Sequence, residues 1–218
     1  MELDEQCVSY HKRDDASKLL IAIPYAGGKA ENMKALIELY ENSDILIPDL
    51  ELIGKKVNEN VTEMYNYIYR FIAENVEKAE QEVTVLGYCV GSVFAMGLYE
   101  YLQNMDIKVG DLIFCGSLPI LSIDIQGETT TVWDYAPSSI LGSVHKLLGM
   151  NKKMTIEESE LFKKEVHMAA NLLSERENRV QVAKGHRLVL IYGSKDKLTL
   201  SWNRDIRNGH STYLLRFL

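Results

Sequence analysis

At 218 residues and 24.8 kDa the chain can bury one full hydrophobic core, and its composition predicts a single domain over residues 1–218. The net charge of −7, with scattered basic residues, disfavours binding to a nucleic-acid backbone. No apolar run approaches the roughly 20 residues of a membrane span, and the acidic N-terminus is unlike a signal peptide. We therefore expect a cytoplasmic protein that binds neither nucleic acid nor membrane.

The three cysteines, Cys7, Cys89 and Cys115, are widely separated and form no Cys-x-x-Cys pair. Neither a disulfide framework nor a zinc site is indicated by this spacing. We expect free thiols and no bound metal.

In chain order, the first half of the sequence alternates between strand and helix patterns. Strands are predicted at 18–23, 44–48, 82–87 and 110–116, and helices near 33–40 and from Gly91 to about Gln103. Asn60 is placed to cap a further helix whose apolar residues, between 61 and 76, share one face. This alternation predicts an α/β fold with a mostly parallel sheet and helices on both faces.

The alternation breaks between residues 121 and 185, where we expect no strand. A helix is predicted from Thr155, with Thr155 and Glu158 in capping-box positions. Its predicted buried stripe comprises Phe162, Val166, Ala169, Ala170 and Leu173. A helical insertion of this size between sheet strands is typical of a lid, and we call residues 121–185 the lid insertion. The strand beginning at Arg187 resumes the sheet.

The sequence Gly-Tyr-Cys-Val-Gly at 87–91 lies between a predicted strand and a predicted helix. Gly-x-nucleophile-x-Gly in this context is the pattern of a nucleophile elbow, where Gly87 and Gly91 let the strand and helix approach. Cys89 would then stand at a helix N-terminus, where the dipole favours a thiolate. A cysteine between apolar segments is otherwise a small core residue, but the flanking elements favour the nucleophile.

A nucleophilic cysteine needs a base, and the base needs an orienting carboxylate. Elbow enzymes present nucleophile, acid and histidine in that chain order, on loops that follow strands. Asp196 and His210 fit this order, and Asp124 is the rival acid because it follows the 110–116 strand. We expect solvated or packing roles for the remaining histidines, which are His11, His145, His167 and His186.

A tetrahedral intermediate also needs two aimed backbone N–H donors. One is the N–H of Val90, directly after the nucleophile. The other is expected from the loop Pro-Tyr-Ala-Gly-Gly at 24–28, where Ala26 is best placed. Gly27 and Gly28 also suit a merely flexible loop, but an oxyanion hole explains their position after the first strand.

Four segments, "IPYAGGKAENM", "GYCVGS", "YGSKDKLT" and "GHSTYLL", occur in this order. Together they resemble the stand-alone (type II) thioesterases of nonribosomal peptide and polyketide synthesis, which serve antibiotic biosynthesis. The resemblance implies an α/β-hydrolase fold, a Cys89–His210–Asp196 triad and an oxyanion hole at Ala26 and Val90. It also implies no cofactor beyond the phosphopantetheine of a partner carrier protein or synthase, which holds the acyl chain. We expect a monomer.

The chain departs from that family at the elbow, where Tyr88 and Cys89 replace the usual histidine and serine. The segment from Trp202 to His210 is also shorter than the family's, and the chain ends soon after it. A cysteine keeps the acyl group as a thioester, which reacts comparatively readily with amines. Hydrolysis is therefore the default, and transfer to an amine, hydroxyl or second thiol is the alternative.

Two other functions fit parts of the sequence. The Gly-Tyr-Cys-Val-Gly elbow also resembles the cysteine elbow of dienelactone hydrolases, whose substrates are small lactones. The altered elbow and short C-terminal region also fit a degenerate thioesterase-like protein that only docks a carrier domain. Such a protein would form no acyl-enzyme.

Overall fold

The computed structural model describes residues 4–76, 82–105, 107–116, 122–125, 128–131, 156–174, 186–193 and 213–217. The strands are β1 Val8–His11, β2 Lys18–Ile23, β3 Ser43–Pro48, β4 Glu82–Tyr88, β5 Val109–Cys115, β6 Ser122–Ile125, β7 Glu128–Thr131, β8 Leu188–Gly193 and β9 Tyr213–Phe217. The α-helices are α1 Lys34–Leu39, α2 Leu50–Lys56, α3 Val61–Asn75, α4 Gly91–Asn104 and α5 Ile156–Ser174. Short 3-10 helices cover Glu5–Cys7 and Ala30–Met33.

Seven strands form one sheet in the order β1-β3-β2-β4-β5-β8-β9. All neighbours in it are parallel except β1, which pairs antiparallel with β3. The predicted mostly parallel sheet is confirmed. Parallel strands need crossover connections, and α1, α4 and α5 lie in those between β2 and β3, β4 and β5, and β5 and β8.

The two faces of the sheet are covered by different helices. In β2, Leu19, Ile21 and Ile23 join a core with side chains of α2, α3, α4 and α5, whereas Leu20 and Ala22 join a core with α1. This division follows from the period-2 alternation of side chains along a strand. The predicted cover of helices on both faces is confirmed.

Local sequence signals explain where α2 and α3 begin. The Asn60 side chain accepts a hydrogen bond from the Glu63 N–H at 3.1 Å, as predicted for the cap of α3. The Asp49 side chain does the same for α2, accepting from the Leu52 N–H at 2.9 Å. The sequence analysis did not predict α2.

Three expectations about the strands were wrong. The first strand is not 18–23 but β1, which ends at His11 and lies at an edge of the described sheet; its mostly polar residues do not form a buried run. β9 was not predicted either, although it pairs in parallel with β8. Residues 121–185 do contain strands, since β6 and β7 form an antiparallel hairpin with Asp124 opposite Thr129. The isoleucines of β6 and the threonines of β7 are β-branched and have high strand propensity.

The predicted helix of the lid insertion is present as α5. Phe162 and Ala169 are buried and Val166 is partly buried, as predicted. Thr155, and the side chains of Glu158, Ala170 and Leu173, lie outside what the structure describes.

Cys7, Cys89 and Cys115 are free thiols, as expected. Within the described ranges, no helix has the length and apolar character needed to cross a bilayer. Among the same residues, no three His, Cys, Asp or Glu side chains converge as metal ligands do.

Candidate active site

Cys89 occupies a sharp turn between β4 and α4, at the carboxyl end of the sheet. Its φ is 54°, in the left-handed region that a non-glycine residue adopts only under strain. The side chain is half-buried. The turn is held by the Ser92 N–H, which donates to the Cys89 carbonyl at 3.0 Å, and by the Ser92 hydroxyl, which donates to the Gly87 carbonyl at 3.0 Å.

Gly87 and Gly91 have no room for a side chain. A Cβ on Gly87 would lie 2.6 Å from the Ser92 nitrogen, and one on Gly91 would lie 2.6 Å from the Ile23 oxygen. Both close neighbours are backbone atoms, so a small shift of a side chain would not relieve either contact. The second contact brings the start of α4 against the end of β2, where the 24–28 loop begins.

The 24–28 loop forms a tight turn beside the elbow. The Gly28 N–H donates to the Tyr25 carbonyl at 2.7 Å, and Gly27 has a φ of 74°. Ala26 is 3% exposed, and Val90, the residue after Cys89, is equally buried. The loop and the elbow are therefore neighbours at the carboxyl end of the sheet, as an oxyanion hole requires.

Glu165 on α5 reaches this loop from the lid insertion. The Gly27 N–H donates to its carboxylate oxygen Oε2 at 2.7 Å, and the residue is 6% exposed. Burial raises the pKa of Glu165 to about 7, although the Gly27 hydrogen bond acts in the opposite direction. The nearby charges of Asp49 and Glu51 raise this pKa further, and Lys164 lowers it.

A second thiol and two tyrosines also lie at the carboxyl end of the sheet. The Cys89 N–H donates to the Cys115 carbonyl at 2.8 Å, because β4 and β5 are paired there. Burial, and then the proximity of Cys89, raise the pKa of the Cys115 thiol to about 11. Tyr88 packs edge-to-face with Tyr25, with ring centroids 5.8 Å apart.

Comparison with solved structures places this arrangement in a known fold. The type II thioesterase BorB of the borrelidin biosynthetic cluster is 16% identical, with a TM-score of 0.58 over 100% of this chain and 90% of that one. The NocB thioesterase domain of the nocardicin cluster is 13% identical, with a TM-score of 0.63 over 98% and 89%. The chain has the α/β-hydrolase fold.

The RedJ thioesterase of the prodiginine pathway in Streptomyces coelicolor shares this α/β-hydrolase fold. It is 16% identical, with a TM-score of 0.55 over 93% of this chain and 76% of that one. No protein-family model matches the sequence, and no curated protein matches it either.

In this fold, His11 and His186 lie away from the carboxyl ends of the strands, where Cys89 is found. His186 precedes β8, at the amino end of the parallel strands. His11 lies opposite Ile45 near the amino end of β3, and its ring is hydrogen-bonded with the Ser9 hydroxyl at 3.0 Å. His167 is exposed on α5.

The remaining predicted partners of Cys89 lie largely outside the described residues. Asp196 and His210, the predicted acid and base, are beyond these ranges, as are His145 and the segment from Trp202. β8 ends at Gly193 on the Cys89 side of the sheet, and Asp196 comes shortly after it in the sequence. The rival acid Asp124 lies within β6, in the separate hairpin.

The sequence analysis missed Glu165 and Cys115. A glutamate on an amphipathic helix usually faces solvent, but Glu165 follows Phe162 by three positions and precedes Ala169 by four. This spacing puts it inside the buried stripe and could have revealed it. Cys115 could have been found from its place at the end of the strand next to β4.

Proposed function

We propose that this chain is a thioesterase of natural-product biosynthesis that forms an acyl-cysteine intermediate on Cys89. The observation that carries the proposal is the strained, half-buried Cys89 between β4 and α4, beside a tight loop that can offer a second oxyanion donor. A cysteine that only filled the core would not need a left-handed backbone. The fold shared with BorB and NocB supports the thioesterase activity.

The first half-reaction forms the acyl-enzyme. His210, oriented by Asp196, accepts the proton of the Cys89 thiol, and the thiolate attacks the carbonyl carbon of the substrate thioester. The resulting oxyanion is bound by the N–H groups of Ala26 and Val90. When the intermediate collapses, the bond to the pantetheine sulfur breaks, and that sulfur takes the proton from His210.

The second half-reaction frees the enzyme. His210 removes a proton from water, the hydroxide oxygen attacks the acyl carbon, and the bond to the Cys89 sulfur breaks as the thiol is reprotonated. The products are the free acid and the resting enzyme. An amine in place of water would give an amide by the same sequence of bond changes, so acyl transfer is the alternative outcome.

The proposed substrate is an acyl or peptidyl chain on the phosphopantetheine of a carrier protein or synthase. The enzyme itself then needs no cofactor, because the thioester is already activated. BorB and NocB come from clusters that make borrelidin and nocardicin, which supports a carrier-bound substrate here. We propose a monomer, since one chain supplies all the proposed catalytic groups.

The proposal is tested by intact-mass spectrometry after brief incubation with an acyl-pantetheine thioester. We expect the wild type to gain the acyl mass, Cys89→Ala to gain none and His210→Ala to gain it more slowly. Cys115→Ser is the matched control for a neighbouring thiol and should acylate like the wild type. A primary amine in the same incubation separates hydrolysis from transfer, because only transfer yields the amide.

Other outcomes would redirect the assignment. An adduct that persists in Cys89→Ala and disappears in Cys115→Ser would show that Cys115 of β5 is the nucleophile. Turnover of a small lactone with no reaction of acyl thioesters would favour a dienelactone-hydrolase-like activity. Absence of any adduct, together with carrier binding that survives Cys89→Ala, would favour a docking protein.

A further inference from the structure

Glu165 is a buried carboxylate that the proposed reaction does not use. It is 6% exposed and lies between the buried Phe162 and Ala169 on the inner face of α5. Helix α5 packs against α4, and Lys164 forms a 2.6 Å ion pair with Glu59, so the position of Glu165 is set by its helix. A carboxylate buried this deeply is costly unless it is hydrogen-bonded, and its described donor is the Gly27 N–H.

The Gly27 N–H that donates to Glu165 belongs to the central peptide of the 25–28 turn, which joins Ala26 and Gly27. A Gly28 N–H to Tyr25 carbonyl bond, with a positive φ at Gly27, is the signature of a type II turn. In the alternative type I turn the central peptide, between Ala26 and Gly27, is turned over. The Ala26 carbonyl oxygen would then replace the Gly27 N–H in front of the Glu165 carboxylate and repel it. Glu165 therefore favours one of the two turns.

We propose that Glu165 is a positioning residue that ties the 24–28 loop to α5 through the Gly27 N–H, and so keeps the Ala26 N–H, one residue earlier, aimed at the oxyanion formed on Cys89. The proposal rests on the function proposed above and adds a residue of the lid insertion to the site. The Tyr25–Ala26 peptide is planar, so its N–H points opposite to the Tyr25 carbonyl, which accepts from Gly28 in either type of turn. The hydrogen bond from Gly27 to Glu165 fixes where the loop lies, and with it the place of that N–H. A turn held in this way presents its donor without reorganisation during the reaction.

The test compares two reactions of the same sulfur in Glu165→Leu, Glu165→Gln and the wild type. Acylation of Cys89 by an acyl-pantetheine thioester passes through an oxyanion, whereas its alkylation by iodoacetamide does not. We expect Glu165→Leu to acylate at least about tenfold more slowly and to alkylate within about twofold of the wild type. The glutamine amide oxygen can still accept the Gly27 N–H, so Glu165→Gln should acylate faster than Glu165→Leu. Glu160→Leu, at an exposed position of α5, is the matched control and should alter neither rate.

A second measurement tests the hydrogen bond between Gly27 and Glu165 directly and does not depend on catalysis. The ¹⁵N-labelled wild type is titrated from about pH 5.5 to about pH 8.5, and the Gly27 amide shift is recorded by NMR. The groups whose charges act on Glu165 are Asp49, which caps α2, Glu51 of α2 and Lys164 of α5. We expect the Gly27 amide to titrate with a midpoint of about 7 and to lose this titration in Glu165→Gln.

The outcomes separate this proposal from the proposed function. The positioning role is wrong if Glu165→Leu slows acylation and alkylation equally, or if it leaves the acylation rate unchanged. If the Gly27 amide shift does not change with pH in the wild type, or still changes in Glu165→Gln, the hydrogen bond between Gly27 and Glu165 is wrong. This result does not depend on whether Glu165→Leu folds. A wild type that forms no acyl adduct, while its Gly27 amide titrates as expected, would instead overturn the thioesterase assignment.

Discussion

Gly91 starts α4 where the backbone at the end of β2 leaves no space for a side chain. We expect Gly91→Ala to lower the free energy of unfolding by at least about 2 kcal/mol, because its Cβ would overlap backbone oxygens that cannot move independently. Gly54→Ala is the matched control, since a Cβ there meets no atom within 4 Å, and alanine should stabilise α2 by about 0.5–1 kcal/mol. Urea unfolding of both variants measures the difference. Equal effects would show that the close approach at the elbow is not needed.

The three thiols differ in environment, and this predicts the order in which they react. Cys7 is 1% exposed and burial raises its pKa, while burial and the nearby Cys89 raise the pKa of Cys115 to about 11. At pH ~7.5 a thiol of that pKa is less than about one thousandth ionised, and the thiolate is the reactive form. We expect iodoacetamide to modify Cys89 first, as measured by peptide mapping over time. Earlier labelling of Cys115 would contradict this order.

The raised pKa of Glu165 predicts how stability depends on pH. The folded protein binds the Glu165 proton more tightly than the unfolded chain does, between the ordinary pKa of 4.5 and about 7. Stability from this group is therefore greatest below that window and is lost as pH rises through it. Between pH ~5.5 and pH ~8 the wild type should lose about 2 kcal/mol relative to Glu165→Gln, which cannot titrate there.

Urea unfolding of the wild type and Glu165→Gln at the two pH values measures this loss. Glu160→Gln is the control, because Glu160 is exposed on the same helix. A stability difference between wild type and Glu165→Gln that is the same at both pH values would mean that burial does not shift the titration of Glu165.

At the scale of elements, α3 offers a test of how a helix begins. Removing the Asn60 side chain leaves the Glu63 N–H without its cap, so Asn60→Ala should destabilise the protein by about 1 kcal/mol. Asn66→Ala is the control, because Asn66 lies inside the same helix and its side-chain amide donates to Glu63 at the surface. The better helix propensity of alanine should offset that lost contact. Urea unfolding that finds the same loss in both variants would rule out a capping role.

Elements with a strong, long pattern could be predicted from the sequence, and short ones could not. The apolar stripe of α3 and the buried runs of β2 and β4 are unmistakable in period and length. β1 was missed because only Val8 of its residues is fully buried and its partner β3 is distant in sequence. The β6–β7 hairpin was missed because its two runs are only four residues long, and the Gln-Gly between them is not one of the Asn-Gly or Asp-Gly pairs that mark a two-residue hairpin.

For the whole molecule, the sheet topology explains which parts of the site could be predicted. Parallel strands bring their carboxyl ends to one edge, so the 24–28 loop and Cys89 could be placed together from the strand pattern alone. The contact between Gly27 and Glu165 could not be predicted, because it joins residues 138 positions apart. It depends on how α5 docks, and helix docking is decided by side-chain packing that a local pattern does not contain.

The same topology predicts where the molecule resists opening. β4 leads directly into Cys89 and is hydrogen-bonded to β2 on one side and β5 on the other, whereas β1 lies at an edge of the described sheet. An inner strand exposes its amides only when both neighbours separate, so β2 and β4 should exchange through global unfolding and β1 through local opening. Hydrogen exchange measured by NMR should show β4 amides protected at least about tenfold more than those of β1. Equal protection of the two strands would mean that β1 opens only when the whole sheet unfolds. Stronger protection of β4 would mean that the elbow keeps its geometry while β1 opens.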